Sequence, residues 1–167
     1  MCAMSKMKNL KTLVLGLGNP ILSDDGVGIK VAQEIREKIK DPQITVTETS
    51  EAGLSLLDSF IGYDRAIIID AIQTQGGKAG QIHRLEPKNL SFAKHLSSPH
   101  QINLLTALEL GRMLGLAMPQ KITILAVEVE DVINFSEKCT PEVERAIPKV
   151  VKMVLCELDK KFLGTKT

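Results

Sequence analysis

Three separated stretches of the sequence carry side chains that are typical of metal sites. Asp24 and Asp25 form an acidic pair, Asp70 follows three isoleucines, and His100 stands in the sequence Ser-Ser-Pro-His-Gln. One aspartate of the pair can cap a helix, but two exceed what capping requires. Two carboxylates and one imidazole form a mixed oxygen and nitrogen ligand set with open coordination positions, which suits nickel or zinc better than calcium.

Asp70 is the strongest of these candidates. It interrupts the apolar run Ile-Ile-Ile-Asp-Ala-Ile, and an ionised carboxylate is costly to bury there unless it is paired or ligated. Among the histidines, His83 fits a sheet or surface position, His95 lies in a polar stretch, and His100 can direct a ring nitrogen into a crevice. Because imidazoles in loops are also commonly only solvated, the residues alone leave the role of His100 open.

Short β-branched runs alternate with longer stretches of helical periodicity, which predicts an α/β sheet. The loop after Ile72 is too short for a crossover helix, so the fourth strand is expected to run antiparallel. We predict a single-domain three-layer sandwich with a five-stranded, mostly parallel twisted sheet, one antiparallel strand, and helices on both faces. Strands are expected at 12–17, 44–49, 65–72, 81–85 and 121–129, and helices at 27–39, 54–61, 102–114 and from Pro141, with Thr140 as N-cap.

These elements bring the candidate residues to one place. In open α/β sheets, ligands bind outside the carboxyl ends of the strands, at the point where the strand order reverses. The first and third strands are the expected neighbours there. The first leads into Asp24 and Asp25, and the third ends near Asp70. We therefore expect carboxylates from two distant segments to meet at one crevice.

Length and charge exclude several classes of protein. The chain has 167 residues and a formal net charge of +1, which fits one domain, expected at 11–163 between flexible ends at 1–10 and 164–167. No basic excess is available for a nucleic-acid backbone. No apolar run approaches the ~20 residues of a membrane span, and the first residues do not form a secretory signal. We expect a cytoplasmic protein with no nucleic-acid partner and no membrane insertion.

The cysteines and several familiar motifs give no alternative chemistry. Three widely spaced cysteines without a Cys-x-x-Cys pair indicate reduced thiols. Cys156 is expected in the core, and Cys139 near a helix start, where a thiolate could be favoured. Ile21 takes the third glycine position of a dinucleotide fingerprint, and no P-loop follows. His-Glu-x-x-His and Gly-x-Ser-x-Gly are also missing.

Three motifs together resemble the hydrogenase maturation endopeptidases. They are Gly-Leu-Gly-Asn-Pro-Ile-Leu-Ser-Asp-Asp-Gly-Val-Gly at 16–28, Ile-Ile-Ile-Asp-Ala-Ile at 67–72 and Ser-Pro-His-Gln at 98–101, in the order and spacing of that family. These proteases trim the C-terminal tail of the large subunit of nickel–iron hydrogenases. The resemblance implies the same activity here, with a large-subunit precursor as the partner. We expect the chain to act as a monomer.

The resemblance also assigns the site. The metal-contacting residues of the family fall on Asp25, Asp70 and His100, which we therefore expect to be both catalytic and metal-binding. In the family these groups are thought to recognise nickel that is already inserted in the substrate. The resemblance thus implies no permanently bound cofactor, although zinc or another divalent ion could occupy the site in vitro.

One departure and two alternatives accompany this resemblance. The segment Glu-Thr-Ser-Glu-Ala-Gly at 48–53 replaces the glycine-rich Asp-Gly-Gly-Thr-x-Gly of the family and alters the expected substrate-facing loop. Peptidyl-tRNA hydrolases share Gly-Leu-Gly-Asn-Pro, but Ile21 and the missing His-Asn pair count against that class. A non-catalytic nickel-binding or metallochaperone module would use Asp25, Asp70 and His100 without breaking a bond.

Overall fold

The sheet is five-stranded and mostly parallel. The computed structural model describes residues 10–90 and 99–160, without the side chains of 89, 90 and 99–103. The strands lie in the order β2-β1-β3-β5-β4, and only β4 is antiparallel to its neighbour among these described strands. The predicted fold class is therefore confirmed. The strands are β1 (Thr12–Leu17), β2 (Ile44–Thr49), β3 (Arg65–Ile72), β4 (Ile82–Leu85) and β5 (Lys121–Glu128).

Helices cover both faces of the sheet. One face packs against α1 and α5, and the other against α2 and α4, so two apolar cores enclose the strands. The structure differs from the prediction in three helices: α4 begins three residues before the predicted position 102, α2 is shorter than the predicted 54–61, and the short α3 was not predicted. The helices are α1 (Val27–Lys38), α2 (Leu56–Phe60), α3 (Pro87–Leu90), α4 (Pro99–Met113) and α5 (Pro141–Asp159).

Alternation along β3 supplies both cores from one strand. Ile67 and Ile69 face α1 and α5, whereas Ile68 and Ile72 face α2 and α4. Full burial of such a side chain contributes about 2 kcal/mol of hydrophobic free energy. Asp70 occupies the same alternating row as Ile68 and Ile72, so its carboxyl group replaces an apolar side chain on the α4 side of the sheet.

Close backbone contacts hold the amino end of α1 against the carboxyl ends of two strands. A Cβ atom at Gly28 would clash with the carbonyl oxygens of Leu17 and Ile69. Gly18 has a φ of +142°, a conformation that side-chain-bearing residues rarely adopt. These two glycines therefore allow the turn before α1, which carries the acidic pair, to lie directly beside the end of β3.

The described helices include none that is long and apolar enough to cross a membrane. The predicted flexible ends, 1–10 and 164–167, lie almost entirely outside the described residues, and the domain limits stay a prediction.

Candidate functional site

The candidate site lies at the carboxyl ends of β1 and β3. These two strands are neighbours, while the chain continues from β1 to β2 on one side and from β3 towards β4 and β5 on the other. This is the reversal of strand order at which open α/β sheets bind ligands. Asp70 lies one residue beyond the last paired position of β3 with β1, where Gly16 is opposite Ile69. A crevice at this reversal would lie next to Asp70.

The carboxyl group of Asp70 is buried with one oxygen unpartnered. The residue is 1% exposed, and Oδ1 accepts a hydrogen bond of 2.8 Å from the backbone N–H of Ala71. Oδ2 has no hydrogen-bond partner among the described residues. Burial raises the pKa of Asp70 to about 8, the Ala71 N–H counteracts this in part, and the negative charge of Asp25 raises it further. A buried carboxyl oxygen without a partner is the kind of group that a cation or a proton must satisfy.

Asp25 is held at the same crevice by its own turn. It lies in a short 3-10 turn, Ser23–Gly26, and is half-buried. Its Oδ2 accepts a 2.9 Å hydrogen bond from the backbone N–H of Asn19, whose side-chain oxygen accepts one of 3.2 Å from the N–H of Ile21. Because the charge of Asp25 acts on the pKa of Asp70, the structure brings these two predicted residues together.

Asp24 has a structural role that local sequence did not indicate. It is fully buried, and no side chain caps the 3-10 turn or α1, so neither aspartate of the pair has the capping role that the sequence allowed for one of them. Its carboxylate instead accepts backbone N–H groups of Glu130 (3.2 Å), Asp131 (3.1 Å) and Thr140 (2.6 Å), and the Thr140 hydroxyl at 3.0 Å. Asp24 thereby ties the turn that carries Asp25 to the loop between β5 and α5.

Asp24→Ala is expected to lower the free energy of unfolding by about 3 kcal/mol. The substitution leaves three backbone N–H groups without their acceptor, and hydrogen bonds to a charged group are the stronger ones. Urea unfolding at pH 7 measures the change. Asp58→Ala, at an exposed position of α2, is the matched control and should change stability by less than about 0.5 kcal/mol. Equal stability of the two variants would contradict the role of Asp24.

The conformation of Ser23 reinforces this connection. Ser23 is the only non-glycine residue with positive φ, at +49°, in the part of the chain that the structure describes. Its N–H donates a 2.8 Å hydrogen bond to the carbonyl of Ser136. Such backbone conformations cost free energy and persist where surrounding contacts fix them. The segment before the acidic pair is therefore held in place by the β5–α5 loop.

The side chain of His100 lies outside the described part of the chain. Its backbone lies in the first turn of α4 rather than before the helix as predicted. The loop after α4 lies at the amino edge of the sheet, where the Gly62 N–H donates a hydrogen bond to the Ala117 carbonyl. Because α4 ends at that edge and leads into the parallel strand β5, its first turn lies towards the carboxyl edge. Among the described residues, no group of three His, Cys, Asp or Glu could hold a metal ion. The ligand role of His100 stays a prediction.

A further buried acid, opposite Ile72 in the sheet, was missed. Glu128, at the end of β5, is buried and accepts hydrogen bonds from the Thr74 N–H (2.5 Å), the Thr74 hydroxyl (2.7 Å) and the His83 ring (2.9 Å). Asp70 and His83 both lie opposite Ala126 in the sheet, and Glu128 is two residues after Ala126. The side chains of Asp70, His83 and Glu128 therefore share one face of the sheet. Glu128 fixes the loop after β3 through Thr74. The acid inside Val-Glu-Val at 127–129 was the available signal, by the argument used for Asp70.

The two described cysteines differ from expectation. Cys156 is exposed rather than in the core, because it lies off the buried stripe of α5. Cys139 is buried, and that burial raises the pKa of its thiol to about 11. The favoured thiolate predicted at Cys139 is therefore wrong, and this thiol is protonated at neutral pH.

Comparison with known proteins identifies the class of peptidase to which this fold belongs. The chain belongs to the hydrogenase maturation protease family, whose model matches residues 5–157. The Escherichia coli hydrogenase 2 maturation protease is 28% identical over 151 residues, which cover 89% of this chain and 91% of that protein. The resemblance stated from the three motifs is confirmed, and the peptidyl-tRNA hydrolase alternative is not supported.

Solved structures agree with this membership. The hydrogenase maturating endopeptidase HybD from E. coli has a TM-score of 0.80 at 28% identity, covering 90% of this chain and 93% of HybD. An endopeptidase from E. coli solved in solution has a TM-score of 0.79 at 30% identity, with 90% and 93% covered. This chain is therefore a peptidase of the hydrogenase maturation type.

Proposed function

We propose that this chain removes the C-terminal extension of a nickel–iron hydrogenase large-subunit precursor after nickel insertion, and that it recognises the inserted nickel. The observation that carries the proposal is the unpartnered, buried Oδ2 atom of Asp70 beside a second carboxylate, Asp25. An ionised Asp70 would be buried and would repel Asp25, so a divalent cation held by these groups would stabilise the ionised carboxyl group and supply the missing partner of Oδ2.

The donor set suits the nickel of such a substrate. Asp25, Asp70 and His100 would supply two carboxylates and one imidazole, a combination that nickel accepts and that leaves positions for ligands of the substrate itself. Without a cation, the pKa of about 8 keeps Asp70 largely protonated at neutral pH. Docking of a nickel-loaded precursor would therefore displace a proton from Asp70, whereas a nickel-free precursor would leave Asp70 protonated.

The residues of this chain chiefly position the scissile peptide. Asn19 orients Asp25, and Asp24 fixes the turn against the β5–α5 loop, so both carboxyl groups are held before the substrate arrives. When present, substrate nickel can polarise a carbonyl oxygen or lower the pKa of a bound water. In this proposal the chain acts in the cytoplasm as a monomer and has no permanently bound cofactor.

The nickel requirement is tested by mixing the chain with nickel-loaded and nickel-free precursor and measuring both products by mass spectrometry. Only the loaded precursor is expected to lose its extension, at a rate at least a hundred-fold above that of the nickel-free form. Asp25→Asn is the inactive control, because it removes one charge from the crevice while its amide oxygen can still accept from Asn19. Equal trimming of both precursors would reject nickel recognition. Stoichiometric nickel binding without trimming of either precursor would favour the metallochaperone alternative.

A further inference from the structure

Three apolar side chains lie exposed next to the candidate site. We call Ile21, Ile133 and Phe135 the apolar patch; they are 48%, 82% and 82% exposed. The chain has only four phenylalanines, one tyrosine and no tryptophan, and one of these few aromatic side chains, Phe135, is exposed to solvent. Exposed aromatic and aliphatic side chains that cluster are typical of surfaces that contact other proteins.

The loop that carries Ile133 and Phe135 has a defined conformation. The side chain of Asp131 accepts hydrogen bonds from the backbone N–H groups of Ile133 (3.2 Å) and Asn134 (3.1 Å), and from the Asn134 amide at 3.1 Å. These bonds to Asn134 and Ile133 lower the pKa of Asp131, so it stays ionised and keeps accepting at neutral pH. The exposure of the patch is thus a fixed feature of the folded chain.

The patch is continuous with the turn that carries Asp25. Leu22 and Ser136 form a parallel β-bridge, which makes Ile21 and Phe135 neighbours across it. The Ser136 N–H donates to the Ile21 carbonyl at 3.0 Å, and the Asp24 N–H donates to the Asp131 carbonyl at 3.0 Å. A protein whose peptide bond reaches Asp25 must therefore also meet this loop.

Charges around the patch restrict the partner. The segment 130–138 contains Glu130, Asp131 and Glu137 against one lysine, Lys138, and Glu130 and Glu137 are exposed. The candidate site adds the carboxyl group of Asp25. The complementary surface is therefore apolar at its centre and has basic side chains at its edge.

We propose that the apolar patch docks the folded body of the large-subunit precursor, at an apolar surface edged by basic residues beside the C-terminal extension. The inference rests on the proposed function and adds the contact by which the enzyme holds its substrate. Docking through Ile133 and Phe135 would anchor the precursor while the extension enters the crevice between β1 and β3. Anchors of this kind carry a large share of binding free energy.

The test compares two double variants in binding and in cleavage. Ile133→Ser with Phe135→Ser removes the two most exposed members of the patch. Met113→Ser with Leu114→Ser is the matched control, because these side chains are 84% and 61% exposed but lie at the end of α4, away from the carboxyl edge. Affinity for the nickel-loaded large-subunit precursor is measured by calorimetry, and kcat and KM by the release of the extension.

The patch variant is expected to weaken binding and raise KM by ten-fold or more, while the control retains wild-type values. Wild-type affinity and KM in the patch variant, with cleavage intact, would overturn the docking proposal and leave the proposed function standing. Loss of binding in the patch variant, with no cleavage by any form of the chain, would support docking and reject the protease function. Concentration-dependent dimerisation that the patch variant abolishes would assign the patch to a second copy of the chain and overturn the proposal.

Discussion

Replacing Asp70 by asparagine is expected to abolish precursor cleavage and, at pH 8, to make the folded chain more stable. The pKa of Asp70 is raised from 3.8 to about 8 in the folded chain, so the folded state binds a proton more readily than the unfolded state. Wild-type stability therefore falls as the pH rises from about 4 to about 8. An asparagine has no charge to bury, and that pH dependence disappears.

The magnitude follows from the same shift. One pKa unit corresponds to about 1.4 kcal/mol, and relaxation around the ionised carboxylate reduces the full effect. We expect Asp70→Asn to gain about 2 kcal/mol at pH 8 and about 0.5 kcal/mol at pH 5, because the penalty on wild type grows steadily from the unfolded pKa of 3.8 to the folded pKa of about 8. The variant should lose at least a hundred-fold in cleavage rate, since an amide cannot lose a proton to become the anionic ligand of a cation.

Urea unfolding at pH 5 and pH 8, in the presence of a chelator, measures the difference in the free energy of unfolding between Asp70→Asn and wild type at each pH. Asp58→Asn is the control, because Asp58 lies exposed on α2 and its substitution should leave the pH dependence of wild type unchanged. Equal pH dependence in Asp70→Asn and wild type would mean that Asp70 is ionised in the folded chain. Retained cleavage in Asp70→Asn would remove Asp70 from the site.

His100→Ala is expected to abolish cleavage of nickel-loaded precursor without unfolding the chain. The resemblance assigns this imidazole as the third ligand, and the first turn of α4 lies towards the edge of the sheet where Asp70 is found. Loss of a nitrogen ligand should reduce nickel-dependent activity by a hundred-fold or more. Mass spectrometry of the product measures activity, and circular dichroism measures the fold.

The other two histidines are controls of the same residue type. His95→Ala should retain wild-type activity, since the sequence assigns His95 no ligand role. His83→Ala removes a hydrogen bond to Glu128 and is expected to affect stability more than nickel dependence. Full activity in His100→Ala, or equal losses in all three variants, would show that the assigned ligand set is wrong.

The strands were predictable because their signal is local. Runs of β-branched residues gave β1, β2 and β3 with the observed limits, and the short loop after Ile72 indicated the antiparallel direction of β4. The start of α4 was placed too late, because Pro99 at a first helical turn is compatible with helix but breaks the apolar periodicity used to find it.

The roles of buried polar groups were harder to predict. Asp70 was identified because burial of a charge inside an apolar run is costly wherever the strand lies. The partners of Asp24 come from residues 106 to 116 positions later, so no local pattern distinguishes this role from helix capping. The burial of Cys139 could not be predicted locally either, since its thiol contacts the carbonyl of Ser23, which is 116 positions earlier in the chain.

The hydrogen bonds between Asp24 and Thr140 affect the design of chimaeras between this chain and related proteases. The Asp24 carboxylate joins the turn that carries Asp25 to the loop that carries Ile133 and Phe135 by hydrogen bonds of 2.6 to 3.2 Å, so the two segments form one structural unit. If the loop between β5 and α5 were replaced alone by that of a relative, its backbone N–H groups would not be positioned to donate to the Asp24 carboxylate of this chain. Chimaeras that transfer both segments together should keep the hydrogen bonds of Asp24, whereas chimaeras that transfer one segment should lose them and unfold more readily.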